Sequence, residues 1–310
     1  MGTTGVSYSF PWEVELMKWL QGMLGDAAVP VVSFLSVFGE EIVIILLLGA
    51  IYWGWSKQIG KYIGLNVLMG LILNTLTKNI FLRRRPYFDH KEIEILRPVE
   101  PEANIYDIAA QGWSFPSGHS TNAVTTFTSL GIAFRKKWLI WLAVLIPLLV
   151  GFSRVAVGAH FPTDVLFGWL TGLVTIGLMH LLRRWIRNDY VLYLVLLLIS
   201  LTGIFYCRSS DYFSSLGLLI GFMLGSLFED KYVRFENTRS PLRIILRTIG
   251  GAAIFLALNK LLKLPFSKEF LESAGYASMT VRCFRYAFIA FVEFAVYPYI
   301  FRFFKPHSQH

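Results

Sequence analysis

Long, almost uninterrupted runs of apolar residues recur along the chain, separated by short polar connections. A helix needs roughly 20 mainly apolar residues to cross a bilayer, with about 17–25 tolerated. The pattern therefore predicts an all-α fold, a polytopic transmembrane helical bundle. We expect about nine spans, at 31–53, 59–82, 118–134, 138–154, 162–182, 190–206, 212–228, 242–262 and 279–301.

The segment before the first run has a different pattern. Residues 11–24 place acidic and apolar residues at helical spacing and include Trp12 and Trp19. This pattern predicts an amphipathic helix on the membrane surface. We expect three parts in the chain: an interfacial segment over 1–30, a core over 31–187 that contains the polar motifs described below, and a C-terminal extension of about four helices over 188–310.

Composition supports a membrane protein, because only 16% of the 310 residues are charged, against roughly 25% in soluble domains. The net charge of +9 is spread over small clusters between the apolar runs, with no nucleic-acid-binding motif beside them. We therefore expect no nucleic-acid partner. Lys and Arg are enriched in cytoplasmic connections. The clusters that indicate the cytoplasmic side include Lys57/Lys61, Arg135/Lys136/Lys137, Arg183/Arg184/Arg187, Lys231/Arg234/Arg239/Arg243 and Arg302/Lys305.

This charge pattern predicts a cytoplasmic C-terminus, with the N-terminus and the polar motifs on the other side of the membrane. The late spans carry a ridge of small residues, Gly217, Gly221 and Gly225, that allows close helix approach. The ridge could form an oligomer interface, but we favour packing within the chain. Polar residues in the late spans are expected to pair within the chain because a lone charge in lipid is costly. Arg285 and Glu293, about two helical turns apart, could form one such pair.

The first polar motif is Lys78-x6-Arg85-Pro86. Seven residues are two helical turns, so Lys78 and Arg85 are expected on one face at the outer end of the second span. Pro86 disfavours helical geometry at Arg85 and should end the helix there. An ammonium and a guanidinium at this position suit a phosphate. Arg83 and Arg84 are interpreted as a basic flank for anionic headgroups.

The second motif is Pro116-Ser117-Gly118-His119, just before the third span. Its residues are typical of a helix start, where free N–H groups and the helix dipole attract anions. Gly118 allows close backbone approach, and the Ser117 hydroxyl can donate to a phosphate oxygen. His119 could protonate a leaving oxygen. An ordinary helix cap with a solvated histidine is the alternative.

The third motif is Ser153-Arg154-x5-His160-x3-Asp164. The four-residue spacing lets the Asp164 carboxylate reach an imidazole nitrogen of His160, although Pro162 favours a loop at 160–161 with Asp164 in the first helical turn. No neighbouring Ser or Cys stands in an obvious position to be activated, so His160 is itself the expected nucleophile. The alternative is a structural pair that holds two spans together.

Together the three motifs resemble the type 2 phosphatidic acid phosphatase (PAP2) superfamily, whose pattern is matched without a departure. The resemblance implies that Lys78, Arg85 and Arg154, with Ser117 and Gly118, hold the phosphate. It implies that His160 forms a phosphohistidine, that Asp164 orients His160 and that His119 protonates the leaving group. It also implies that neither a metal nor another cofactor is needed.

By this resemblance, the expected function is hydrolysis of a lipid phosphate or diphosphate, such as phosphatidic acid, phosphatidylglycerophosphate or undecaprenyl pyrophosphate. The expected location is a bacterial cytoplasmic membrane, with the active site outside. The alternatives are a sugar-phosphate hydrolase resembling glucose-6-phosphatase and a lipid phosphotransferase. A transporter with an inactive phosphatase site is the least favoured.

Overall fold

The computed structural model describes residues 5–273 and 275–304, so Lys305 and the chain's C-terminus lie outside the described residues. Within the described ranges the chain is helical and has no strand, apart from one isolated bridge between Val6 and Arg83. The α-helices are α1 Pro11–Met23, α2 Val29–Leu35, α3 Glu41–Gly49, α4 Lys57–Phe81, α5 Pro86–Asp89, α6 Ile108–Gln111, α7 Gly118–Phe134, α8 Lys137–Ala156, α9 Pro162–Trp185, α10 Asp189–Leu201, α11 Ser210–Phe228, α12 Pro241–Leu261, α13 Lys268–Glu272 and α14 Tyr276–Phe291.

Short 3₁₀ or π segments extend several of these helices. The 3₁₀ segments are Ser36–Gly39, Thr202–Phe205 and Tyr297–Phe304; the π segments are Ala50–Trp55, Glu229–Val233 and Val292–Val296. Five helical segments in the described residues are long and apolar enough to cross a membrane. The number of candidate spans rises to six if one bent pair of helices is counted as a single span. The five are Lys57–Phe81, Lys137–Ala156, Pro162–Trp185, Ser210–Val233 and Pro241–Leu261. The chain is thus an integral membrane protein.

The first predicted span is not one straight helix. Val29–Gly39 and Glu41–Trp55 are bent by 49° relative to one another. The backbone at Glu40 is extended, with ψ 146°. The break falls where Gly39, Glu40 and Glu41 interrupt the apolar run, because two adjacent carboxylates are costly in lipid.

The helices form two compact units, and the first comprises Met1–Ile44, Met69–Trp185 and Gly203–Ser209. In this unit α7 packs against α8 and α9. Gly168 and Gly172 allow α9 to approach α7 closely, because a Cβ at Gly172 would lie 2.7 Å from Val124. The Thr121 hydroxyl donates to the Gly168 carbonyl at 3.0 Å across the same contact.

Helix α1 belongs to this first unit. Its residues Val14 and Met17 are buried in an apolar cluster, whose other buried members are Ile93, Val155, Phe161 and Val165. The other face leaves Trp12 and Trp19 exposed by 50% and 59%. Helix α1 therefore packs against the chain segments on either side of His160.

The end of α4 corrects one prediction about the first motif. The helix stops at Phe81, because Leu82 adopts a left-handed conformation with φ 50°. Arg85 is extended, with ψ 155°, and precedes Pro86 at the start of α5. Lys78 and Arg85 are thus not on one face of one helix. Pro86 does favour the extended backbone of Arg85, but α4 has already ended at Phe81.

The second unit comprises Ile45–Leu68, Ile186–Thr202 and Ser210–His310. Here the glycine ridge of α11 packs on α14: a Cβ at Gly221 would lie 2.2 Å from the Ala287 carbonyl oxygen. Arg285 and Glu293, the pair that the sequence allowed, do not contact each other in the described residues. Arg285 donates to Asn259 Oδ1 at 3.1 Å, whereas neither carboxyl oxygen of Glu293 has a hydrogen-bond partner among the described residues.

Candidate active site

The three polar motifs lie at helix ends in the first unit. Lys78 is in the last turn of α4, while Ser117 precedes α7 as its N-cap. Arg154 is in the last turn of α8, and Asp164 is in the first turn of α9. The Ser117 amide donates to the Asp164 carbonyl at 2.9 Å, so the second and third motifs are joined through the backbone.

His160 is buried in the loop between α8 and α9. Its Nε2 lies 3.4 Å from Nη1 of Arg85, and its Nδ1 lies 3.4 Å from the Ser114 hydroxyl. The Asp164 carboxylate is 3.6 Å from Nδ1, which is longer than a direct hydrogen bond. His160 thus has one nitrogen facing Ser114 and Asp164 and the other facing a guanidinium.

Ser114 lies between His160 and Asp164. Its hydroxyl donates to Oδ2 of Asp164, which leaves a lone pair to accept from Nδ1. We assign the Nδ1–H tautomer to His160 on this network. The Nε2 lone pair is then available, as a nucleophile requires.

Asp164 is fully buried, and each of its carboxyl oxygens is bonded. Oδ1 accepts from Arg83 at 2.7 Å. Oδ2 accepts from the Phe161 amide at 2.8 Å as well as from Ser114. The predicted role of Arg83 as a headgroup-facing flank is wrong, because this side chain is fully buried.

Two buried side chains of the first unit, Arg154 and Tyr87, have polar atoms without a hydrogen-bond partner among the described residues. These atoms are Nε and Nη2 of Arg154 and the hydroxyl oxygen of Tyr87. Burial raises the pKa of Tyr87, and the charges of Arg85 and Arg154 oppose that rise. A buried unpaired guanidinium is costly, so this arrangement suits an anion with several oxygens.

The charge around His160 favours its neutral form. Burial lowers the pKa of His160 well below its ordinary value, and the positive charges of Arg85, Arg154 and Lys78 lower it further. The imidazole is therefore unprotonated at neutral pH. An anion bound among the same cations would compensate their charge.

At the start of α7 the Ser117 hydroxyl accepts from the amide and the hydroxyl of Ser120, at 3.4 and 3.0 Å. It therefore caps the helix, as the alternative interpretation expected, and its own hydrogen can still be donated. A Cβ at Gly118 would lie 3.9 Å from Nζ of Lys78, which places the helix start beside that ammonium. His119 is half-buried in the first turn.

A family model described as the PAP2 superfamily matches residues 60–210. Undecaprenyl-diphosphatase BcrC of Bacillus subtilis is 32% identical over 171 residues, which are 53% of this chain and 80% of that protein. The chain belongs to the PAP2 superfamily. A second model, the transmembrane extension of PAP2 superfamily phosphatases, matches residues 213–309.

Other related proteins match about half of the chain or less. An undecaprenyl-diphosphatase of Sulfolobus acidocaldarius is 28% identical over 173 residues, 54% of this chain and 77% of that protein. A lipid A 1-phosphatase of Rhizobium etli is 33% identical over 124 residues, 40% of this chain and 48% of that protein. No solved structure matches the chain significantly.

Sequence reasoning missed the roles of several polar residues of this candidate site. Glu13, Ser114 and Tyr87 lie outside the three motifs, and Arg83 is one of the unspecified residues between Lys78 and Arg85. Only three-dimensional contacts reveal the roles of these four side chains. Asn74 is buried one helical turn before Lys78, and its amide donates to the Pro116 carbonyl at 3.3 Å. The sequence offered one signal for these extra residues: Asn74 is a polar residue inside an apolar run, close to the motif residue Lys78.

Proposed function

We propose that this PAP2 protein hydrolyses a lipid phosphate or diphosphate, with His160 as the nucleophile. The unpartnered nitrogens of Arg154 beside a buried, neutral imidazole are the observation that carries this proposal. Buried donors without a partner require an acceptor, and a phosphate supplies three oxygens to Arg154, Arg85 and Lys78.

In the first chemical step, Nε2 of His160 attacks phosphorus. The N–P bond forms while the bond from phosphorus to the leaving oxygen breaks. His119, which takes up a proton once the bound phosphate offsets the surrounding positive charges, donates that proton to the leaving oxygen. The positive charge on the imidazole is compensated through Ser114 by Asp164, as in a Ser-His-Asp arrangement. Most of the catalytic effect in phosphoryl transfer comes from positioning and charge stabilisation.

In the second step, a water molecule attacks the phosphohistidine. His119, now neutral, accepts a proton from this water, and the N–P bond breaks to release inorganic phosphate. His160 returns to its neutral form with Nδ1–H facing Ser114. Both histidines thus finish the cycle as they stood in the substrate complex, with His119 protonated and His160 neutral.

We propose a long-chain lipid diphosphate as the substrate class. Two of the related proteins are undecaprenyl-diphosphatases, and the third acts on lipid A. Motif residues at the ends of membrane helices can receive a headgroup while the lipid tail stays in hydrocarbon.

The test is phosphate release by purified protein in detergent with EDTA present. Undecaprenyl diphosphate, phosphatidic acid, phosphatidylglycerophosphate and glucose 6-phosphate are compared at equal concentrations. We expect the highest kcat/KM with undecaprenyl diphosphate. Preference for glucose 6-phosphate would contradict a lipid substrate, and labelled phosphate that is recovered on an added alcohol rather than in solution would indicate a phosphotransferase.

The finer architecture is also a proposal. We propose nine spans, because α7, α10 and α14 add apolar helices of 17, 13 and 16 residues to the longer ones. We propose that α1 lies at the interface, that residues 31–187 and 188–310 form the catalytic core and the extension, and that the active site faces outward from a bacterial cytoplasmic membrane with the C-terminus inside. The paired glycine ridge of α11 does not call for an oligomer.

A further inference from the structure

A second charged cluster lies directly behind the proposed nucleophile. Glu13 of α1, Arg83 and Asp164 are all fully buried. Nη2 of Arg83 donates to Oε2 of Glu13 at 2.8 Å, and Nη1 donates to Oδ1 of Asp164 at 2.7 Å. The Thr163 hydroxyl accepts from Arg83 at 2.8 Å and donates to Oε1 of Glu13 at 2.6 Å. One guanidinium therefore joins the N-terminal helix to the carboxylate of the reacting system.

The N-terminal segment encloses this guanidinium further. Nε of Arg83 donates to the Tyr8 carbonyl at 3.0 Å, and the guanidinium carbon lies 4.5 Å from the Tyr8 ring centre and 4.0 Å from that of Phe161. The backbone of Val6 bonds to the two residues that flank Arg83, at 2.8 and 3.1 Å. Arg83 thus has little freedom to move, because hydrogen bonds and aromatic rings fix both its backbone and its side chain.

The backbone of Arg83 makes a further link to the reacting system. Its carbonyl accepts from the Ser114 amide at 2.8 Å. Ser114 is the residue whose hydroxyl lies between Nδ1 of His160 and Oδ2 of Asp164. Arg83 therefore positions Ser114 through its backbone and Asp164 through its side chain.

We propose that Glu13 and Arg83 are positioning residues for His160, so that the N-terminal segment forms part of the active site. The inference rests on the proposed role of His160 as the nucleophile. Arg83 holds one oxygen of Asp164 and thereby directs the other oxygen to Ser114. Glu13 balances the charge of Arg83, so that Asp164 retains negative charge towards the imidazole.

A buried ion pair is weak evidence for a role in stability alone, because desolvation offsets the attraction. A purely structural cluster and a positioning cluster differ in one measurable respect, the protonation of His160. The charged or titratable groups that face His160 are Lys78 from α4, Arg85, His119 from α7, Arg154 from α8 and Asp164 from α9. The Lys and Arg side chains among them are positive. Asp164 is therefore the one group of this set that can stabilise a positive charge on the His160 ring.

The test compares Glu13→Gln with Glu15→Gln. Both residues are on α1, but Glu15 is exposed and pairs only with Lys18 in the described structure. We expect Glu13→Gln to lower kcat on the order of tenfold with little change in KM, since Nε2 is less well oriented and less basic. The acid limb of kcat/KM should move to lower pH by about one unit, because one nearby negative charge is lost. Glu15→Gln should leave both unchanged.

Folded Glu13→Gln protein with the wild-type kcat and pH profile would overturn the inference. If Glu13→Gln does not fold, Thr163→Val removes the hydroxyl shared by Glu13 and Arg83 without unpairing a charge. A lower kcat for this variant supports the inference, and an unchanged kcat contradicts it.

The proposed function can fail separately, if the wild type releases no phosphate from any lipid. The inference is then tested by the rise in Tm that orthovanadate, a phosphate analogue, produces at neutral pH. We expect a smaller rise in Glu13→Gln than in the wild type and Glu15→Gln. An equal rise in all three proteins would contradict the inference.

Discussion

Which ring nitrogen of His160 can react depends on the hydrogen-bond partner of the other nitrogen, because that partner sets the tautomer. Ser114 lies 3.4 Å from Nδ1, and Arg85 lies 3.4 Å from Nε2. The sequence motifs indicated His160 and Asp164, and their four-residue spacing predicted a direct contact. The structure instead has 3.6 Å between them and a serine in the gap. Spacing alone could not predict this, because Ser114 comes from a loop 46 residues earlier in the chain.

Replacement of Ser114 by Ala should impair catalysis while preserving the fold. Without the hydroxyl, the Nδ1–H tautomer has no bonded partner and Asp164 loses one donor. We expect kcat to fall by about 10- to 100-fold, the loss typical of an indirect partner of a reacting histidine. Phosphate release is the measurement. Thr175→Val in α9 is the control, because that buried hydroxyl bonds only its own helix in the described structure; equal activity of the two variants would contradict a relay through Ser114.

The pH dependence of kcat/KM should report the free His160. Its pKa is lowered by burial and by Arg85, Arg154 and Lys78, so the nucleophilic neutral form persists as the pH falls. We expect the acid limb to have its midpoint below about 6.5, the ordinary value for histidine. The substrate's own titration, followed by phosphorus NMR, is subtracted first. A midpoint at or above that ordinary value would mean that the cations do not act on the nucleophile.

The apolar runs predicted the positions of several helices well. The predictions failed where polar residues interrupt or end a run. The predicted run 118–134 coincides with α7, and 138–154 falls within α8. The run 31–53 is broken at Glu40, and α4 ends at Phe81, four residues before Arg85. Hydropathy does not describe such ends, since a bridge to Val6 and a left-handed Leu82 determine where the chain turns.

Close helix packing at Gly221 should make it intolerant of a methyl group. A Cβ there would lie 2.2 Å from a backbone oxygen of α14, whereas a Cβ at Gly177 of α9 would meet nothing within 4 Å. We expect Gly221→Ala to lower the free energy of unfolding by about 1–3 kcal/mol. Gly177→Ala should be neutral or stabilising by up to about 1 kcal/mol, because Ala favours a helix. Thermal unfolding in detergent measures both, and equal Tm values would contradict the packing.

For the whole molecule, composition and hydropathy were enough to predict an integral membrane protein. The three motifs were also enough to predict the PAP2 superfamily. They gave no information on the N-terminal segment, because its contribution to the site depends on Glu13 meeting Arg83, 70 residues away. The boundary at residue 187, the count of nine spans and the orientation stay predictions.

The proposed orientation can be tested by labelling from one side of the membrane. In a variant with both native cysteines replaced by Ser, a single cysteine is introduced at the exposed Glu102 or at the exposed Arg184. We expect a membrane-impermeant maleimide to label Glu102→Cys in intact cells. Arg184→Cys should be labelled only after permeabilisation, because Arg184 lies in the last turn of α9, next to a connection that the arginine cluster assigns to the cytoplasm. The reverse result would invert the topology.

The most direct measurement is a rapid acid-free quench of the wild-type enzyme during turnover of a lipid diphosphate with a radiolabelled terminal phosphate. We expect an alkali-stable, acid-labile phosphoryl group that mass spectrometry locates on His160. In His160→Asn this label should be absent, and phosphate release should fall by at least about 10³-fold. Near-normal phosphate release by folded His160→Asn, or a label on a different residue, would contradict the account.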